Sequence, residues 1–249
     1  MTFDGKSRRM RERLELSLPV RVQCRESEDH EWVELTRLID VTPFGARFSI
    51  ARPTEPGRLL HLTLPMPRQL RCFDHVEQQY RVWALVRNIK AIITQGSAVP
   101  RFEVGVAFVG KRPPVSFETD PTRRYDVATQ GDGGLWNVQE AERTGQHVPS
   151  SDPRPETRHH LPVDVMIEMF DEKGEVAASE RTVTENISRR GAAVFTTLEV
   201  GRGRFVRLTS VQYKISVIAA VRARRAGVDK ITRLHLEFVD RQWPLEGVE

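Results

Sequence analysis

LTRLIDVTPFGARF, residues 35–48, and RTVTENISRRGAAVF, residues 181–195, carry one pattern twice. Each opens on a run rich in β-branched residues and reaches Asp40 or Asn186. A hydroxyl follows two residues on (Thr42, Ser188) and a glycine three further (Gly45, Gly191), and an apolar run then resumes. Read singly, the pattern is a strand–turn–strand corner. Asp, Asn, Ser and Thr satisfy turn backbone, and Gly supplies a positive φ.

The flanking sequence repeats as well. LPVRV at 18–22 is answered by LPVDV at 161–165, and GRLLHLTL at 57–64 by GRGRFVRL at 201–208. YRVWALVRNI at 80–89 is answered by ISVIAAVRAR at 215–224, and EVGVAFVG at 103–110 by RLHLEFVD at 233–240. Five matches in one order indicate a tandem duplication. The second copy is shorter, mainly between its third and fourth matches. Short runs such as VRVQC, WVELTRLID and FEVGVAFVG alternate at period 2 between turn signals, as strands do. About six strands per copy at meander spacing suit a small antiparallel barrel.

The expected fold is therefore all-β, with one barrel over residues 8–112 and a second over 154–243. Between them, residues 113–153 are polar and rich in Pro and Gly and read as a linker. A short helix is expected there around Leu135–Arg143, with Trp136 placed to pack the barrels together.

Composition narrows the function. Hydrophobic residues make up 39% and charged residues 29%, as in a soluble globular chain. The longest apolar window is strand length, so no membrane span is expected. The start, MTFDGKSRRM, lacks the apolar centre of a signal peptide. Cys24 and Cys72 are the only cysteines, without a Cys-x-x-Cys, which fits a reducing cytoplasm. Residues 1–25 hold seven basic side chains against three acidic ones, an excess equal to the +4 of the whole chain. So local a patch suggests a local anionic ligand, and nucleic acid is not the expected partner. No nucleophile, P-loop or zinc-protease motif occurs, so no enzyme is expected. His159 and His160 are adjacent and point to opposite faces in an extended segment, so no metal or other cofactor is expected.

A second pattern precedes each barrel. Arg9-Met10-Arg11-Glu12-Arg13 and Arg154-Pro155-Glu156-Thr157-Arg158 are both Arg-x-x-x-Arg. Alone, such a run is a solvated arm. Recurrence of both patterns, in the same order around matching strands, makes the chain resemble the PilZ family of bacterial receptor domains for cyclic di-GMP. The resemblance covers both copies. It implies two small six-stranded barrels and a cyclic di-GMP ligand held between arm and barrel motif. The ligand residues implied are Arg9, Arg13, Asp40, Thr42 and Gly45 in the first copy, and Arg154, Arg158, Asn186, Ser188 and Gly191 in the second. With no output domain in sight, the signal is expected to pass to an unidentified protein partner.

The chemistry of these residue types agrees. Arginine's planar fork pairs with phosphate oxygens and with guanine O6 and N7, and its flat face stacks on a purine. Asp or Asn meets the guanine edge, and the hydroxyl reaches a base or phosphate. The copies differ. Thr42 stands where Ser or Ala is usual in the family. Arg13 lies six residues before Pro19, whereas Arg158 lies four before Pro162, so matching the prolines puts Asp152 and Glu156 in the arginine places. The first copy thus has the better arm and the second the better barrel motif. Two alternatives stay open: a degenerate interaction module that has lost the nucleotide, and a nucleic-acid-binding small barrel.

Overall fold

The structure, a computed structural model, describes residues 14–92, 101–130, 135–141, 158–227 and 229–245. Six strands form the first barrel: β1 (Pro19–Arg25), β2 (Glu31–Thr42), β3 (Gly45–Ile50), β4 (Leu59–Leu64), β5 (Tyr80–Ile92) and β6 (Arg101–Gly110). They close in the order β1-β2-β3-β6-β5-β4, every pairing antiparallel. A five-residue helix, α1 (Val115–Thr119), and a hairpin of β7 (Tyr125–Gln130) and β8 (Trp136–Glu140) follow. The second barrel is β9 (Asp164–Phe170), β10 (Val176–Ser188), β11 (Gly191–Phe195), β12 (Phe205–Ser210), β13 (Ile215–Ala226) and β14 (Thr232–Phe238), closed in the same order. The two tandem six-stranded barrels implied by the PilZ resemblance are the architecture observed.

Period-2 alternation produces each interior. In β1, Val20, Val22 and Cys24 point inward, and in β12 Val206 and Leu208 do the same. The first core does not stop at its own barrel. Phe170, Phe205, Ile218 and Ala220 of the second barrel are buried against it. Around this apolar contact sits buried charge. Arg58 donates to Glu55, to the carbonyls of Glu26 and Pro121, and across the junction to the carbonyl of Gly203 at 2.8 Å. Arg222 of the second barrel pairs with Glu55 of the first, and Arg204 with Glu26.

The linker departs from expectation in one respect. Its short helix is at Val115–Thr119, and the stretch expected to be helical is strand β8. Trp136-Asn137-Val138-Gln139-Glu140 alternates, and that period wins in so short a segment. Val127 and Val138 pack on Leu59, Leu85, Phe117 and Tyr125, an apolar cluster outside the first barrel's interior. The loop after β4 explains the length difference between copies. Arg71 donates to the carbonyls of Met66, Asp74, Glu77 and Gln78 and so organises residues 66–78, where the second barrel has only the turn Val211–Lys214.

Candidate ligand site

Each arm enters its barrel by bridging the motif strand. Leu14 exchanges two backbone hydrogen bonds with Val41, at 3.0 and 2.9 Å, and His159 exchanges two with Ile187, both at 2.9 Å. Val41 and Ile187 are the middle residues of Asp40-Val41-Thr42 and Asn186-Ile187-Ser188. Leu14 and His159 directly follow Arg13 and Arg158. The bridge residue of each barrel is thus the one that directly follows the last arginine of its Arg-x-x-x-Arg run in the sequence. Arg9, Arg13 and Arg154 lie outside the described residues. Arg158 lies within them, and its Nη1 donates to Asn186 Oδ1 at 3.0 Å.

This geometry corrects the register read from the prolines. Pro19 pairs with Arg37 in the first barrel, and Asp164 with Val183 in the second. Arg37 and Val183 each stand three residues before their motif Asp or Asn, so the counterpart of Pro19 in the second barrel is Asp164, not Pro162. Five steps separate Leu14 from Pro19, and five separate His159 from Asp164. Counted from the bridges, Arg158 and Arg13 hold matching places in the sequence, each one residue before its bridge residue, while Asp152 and Glu156 lie outside the described residues. Pairing also matches Gly57 to Gly203 rather than to Gly201. Both have φ near +89° and donate their N–H to the neighbouring strand, at Val86 and Val221.

The hydroxyls of the two motifs behave alike. Thr42 Oγ1 accepts the Phe44 N–H at 3.2 Å and donates to the Gly45 carbonyl at 3.3 Å. Ser188 Oγ accepts the Arg190 N–H and donates to the Gly191 carbonyl, both at 3.3 Å. A hydroxyl has one donor and two lone pairs, so each retains one acceptor position.

The motif glycines do not supply the positive φ that the corner reading assigns to them. Neither is among the positive-φ glycines. A Cβ on Gly45 would sit 2.3 Å from the Val106 carbonyl oxygen, and one on Gly191 2.3 Å from that of Leu236. They let β3 and β11 approach β6 and β14. This requirement belongs to the barrel itself, with or without a ligand.

Beside the motif the barrels diverge. Asp40 is only 4% exposed and lies opposite Arg47. Arg47 Nε donates to Asp40 Oδ2 at 2.8 Å, and its Nη1 to Glu103 Oε1 at 2.9 Å. Burial works to lower the Arg47 pKa, but the hydrogen bonds from Asp40 and Glu103 outweigh it and leave it raised. The equivalent residue opposite Asn186 is Ala193. Sequence reading passed over Arg47 because its importance depends on cross-strand pairing. The signal was its place seven residues after Asp40, across a tight turn.

Among the described residues no group of three or more His, Cys, Asp or Glu is placed to hold a metal, and no helix is long and apolar enough to cross a membrane. No family model matches the chain, and no curated protein does. Among solved structures it is similar to the Bacillus subtilis inhibitor of motility (MotI/DgrA), at 14% identity, covering 92% of this chain and 90% of that one, with a TM-score of 0.29. It is similar to the Borreliella burgdorferi PlzA protein in complex with c-di-GMP, at 8% identity, covering 94% and 89%, with a TM-score of 0.28. It is also similar to YcgR from Escherichia coli in complex with c-di-GMP, at 11% identity, covering 90% and 76%, with a TM-score of 0.28. The PilZ resemblance rests on this chain's own residues: two closed barrels, two arm-to-motif bridges, and an arm arginine bonded to its motif asparagine.

Proposed function

We propose that the chain is a receptor for cyclic di-GMP and that its working site is in the second barrel, between the Arg154–Arg158 arm and Asn186, Ser188 and Gly191. The observation that carries this reading is the Arg158–Asn186 hydrogen bond, made beside the His159–Ile187 bridge. It brings a guanidinium to an amide, a pairing suited to a phosphodiester beside a guanine edge. Gly191 supports the site through barrel closure.

In the first barrel, Arg9, Arg13, Asp40, Thr42 and Gly45 form the matching set. There the Asp40 carboxylate is already neutralised by Arg47. A ligand would have to displace that ion pair, so the first barrel is the weaker site. This favours the degenerate-module reading for the first barrel alone.

Relay to a protein partner has a candidate route. Glu237 stands opposite Gly191 and pairs with Arg222 at 2.6 Å and with Arg124 of the linker at 3.3 Å. Arg222 continues to Glu55 of the first barrel. Ligand at the second motif thus has charged contacts leading to both the junction and the linker.

Calorimetric titration with cyclic di-GMP tests the reading. Wild type is expected to bind, Arg154→Ala/Arg158→Ala to lose most affinity, and Arg9→Ala/Arg13→Ala to lose less. Folded wild type that gives no heat would reject the receptor assignment.

A further inference from the structure

Val33, Leu35, Arg37 and Ile39 alternate along β2 and share its outer face, because Trp32 and Leu38 take interior positions. Leu35 is 78% exposed, Val33 44% and Ile39 36%. Cross-strand pairing extends this face over three more strands. Leu35 lies opposite Arg21, Arg21 opposite Thr63, and Thr63 opposite Arg81. Val33, Gln23, His61 and Trp83 form the next row. Arg21, Arg37 and Arg81 thus flank an exposed aliphatic strip. Among the described residues none of the three pairs with a carboxylate. Arg21 donates to Gln23 Oε1 at 2.7 Å, and Arg37 to the Ser17 carbonyl at 3.0 Å.

The second row ends in a cavity of about 210 Å³, whose lining includes Gln23, Glu31, His61, Trp83 and Phe117. Trp83 and Phe117 meet edge to face there, with centroids 5.2 Å apart. Burial and the Arg21 and Arg81 guanidiniums lower the His61 pKa, so this wall is uncharged at neutral pH. The carboxylates at the cavity are Glu31, which accepts a hydrogen bond from Gln23, and Glu118. The second barrel satisfies the same face by itself. Glu168 and Arg207 hold the places of Gln23 and His61 and pair at 2.6 Å, and Ile218, at the place of Trp83, is buried in the junction. Met166 and Ser216 stand where the first barrel has Arg21 and Arg81.

We infer that this outer face of the first barrel binds an acidic segment of a partner protein, with one apolar side chain of the segment seated in the cavity and its carboxylates on Arg21, Arg37 and Arg81. No arm or motif residue belongs to the face, so the inference stands apart from the receptor reading. Area and charge select the occupant. The face runs about 20 Å along β2 and about 14 Å across four strands, on the order of 300 Å². Each partner in a stable complex gives up about 800 Å², so the face fits a single segment better than a second copy. A second copy would also set the same guanidiniums against each other. A lipid-binding cluster takes about four to eight basic residues, more than the face offers, and a concave anchor point has no use on a flat membrane.

Fluorescence anisotropy with labelled helical peptides tests the inference. One peptide carries Leu and Phe on one side and Glu on the other. A second has Ala in place of Leu and Phe, and a third has Lys in place of Glu. The first is expected to bind wild type saturably, and the other two at least about tenfold more weakly. Leu35→Asp and Arg21→Glu/Arg81→Glu each lower affinity for the first peptide by about tenfold or more, with a thermal melt to show folding. Arg181→Glu, at the place of Leu35 in the second barrel, leaves it unchanged. Should the double variant fail to fold, Leu35→Asp decides alone. The inference is rejected if the first peptide does not bind saturably, if the Ala peptide binds equally well, or if Leu35→Asp binds like wild type. A dimer in sedimentation that Leu35→Asp dissociates also rejects it, because the face is then a contact between copies. So does binding to phosphatidylglycerol–phosphatidylcholine vesicles that the same variants abolish, because the face then meets a membrane.

Discussion

Opposite the motif carboxylate of the first barrel stands Arg47, and opposite the motif amide of the second stands Ala193. Among the described residues, the first motif's carboxylate meets a cation of its own sheet, Arg47, and the second motif's amide meets one that precedes its barrel, Arg158. A second contrast runs through the junction. Glu26, Arg52, Glu55 and Arg58 of the first barrel are buried, while Arg204 and Arg222 of the second keep some contact with water. Duplication has left one plan with two uses of charge. The first copy commits its charge to its own sheet and to docking, and the second places a methyl group where the first has a guanidinium.

The sharpest way to break that comparison is at Arg58 and Arg204, equivalent residues that follow Gly57 and Gly203. The Arg58 side chain is 1% exposed, and the Arg204 side chain 18%. Arg58→Ala orphans the carbonyls of Glu26, Pro121 and Gly203 and removes a partner of Glu55. A loss of about 3–5 kcal/mol in urea unfolding is expected. Arg204→Ala leaves Glu26 with Arg52 and the Trp32 indole, so its cost is smaller. Equal losses at the two positions would contradict the assignment of docking to the first copy.

At the motif glycines the two barrels should behave alike. Gly45→Ala and Gly191→Ala each push a methyl into a carbonyl oxygen of the adjoining strand, and about 1–3 kcal/mol is expected at each. An alanine at Gly191 that costs binding but no stability would instead mark that glycine as a ligand contact.

Acid should act on the first barrel's side of the junction. His30 is lowered to about 4 by burial and by the nearby Arg204 and Arg52 guanidiniums. Glu55, despite burial, is held at about 2 by Arg222, Arg58 and Arg124. For His30 the unfolded chain takes up its proton first, so stability is lost as pH falls from about 6.5 towards 4. For Glu55, stability present above about 4.5 is lost as pH falls through its folded value. Unfolding free energies at pH 7.5 and 5.0 should differ by on the order of 1–2 kcal/mol, below the full linkage value because the His30 ring is only partly withdrawn from water. His30→Gln should flatten that difference. If it does not, the sensitivity lies elsewhere.

Strands, duplication and barrels were legible because period-2 burial leaves its mark on consecutive residues. Register was not. The repeated LPV suggested matching Pro19 to Pro162, but cross-strand pairing matches Pro19 to Asp164. Local resemblance between prolines says little about which carbonyl faces which amide, so Arg158, one residue before its bridge as Arg13 is, looked two residues out of place. The residues opposite the motif were hidden for the same reason. Arg47 and Ala193 are ordinary strand residues until β2–β3 and β10–β11 are paired. The β8 stretch was misread as helix because Leu135 and Val138 stand three apart, as on a helix face, while Trp136 and Val138 stand two apart, as on a strand face. The apolar cluster that settles it is assembled from β4, β5 and α1 as well.

The smallest expected effect concerns the residue on which the two motifs differ most plainly. Thr42 departs from the Ser of the second copy, but what it contributes to the turn is a hydroxyl. That hydroxyl accepts one N–H and donates to one carbonyl, as Ser188 does. Thr42→Ser should therefore change stability by no more than about 0.5 kcal/mol, whereas Thr42→Ala, which removes both bonds, should cost about 1 kcal/mol. Equilibrium unfolding of the pair distinguishes the methyl from the hydroxyl. A Thr42→Ser loss as large as that of Thr42→Ala would mean that the methyl holds this corner. The motif difference would then join Arg47 as a reason the first barrel differs from the second. Matching stabilities would leave Arg47, where the second barrel has Ala193, as the distinction between the two sites.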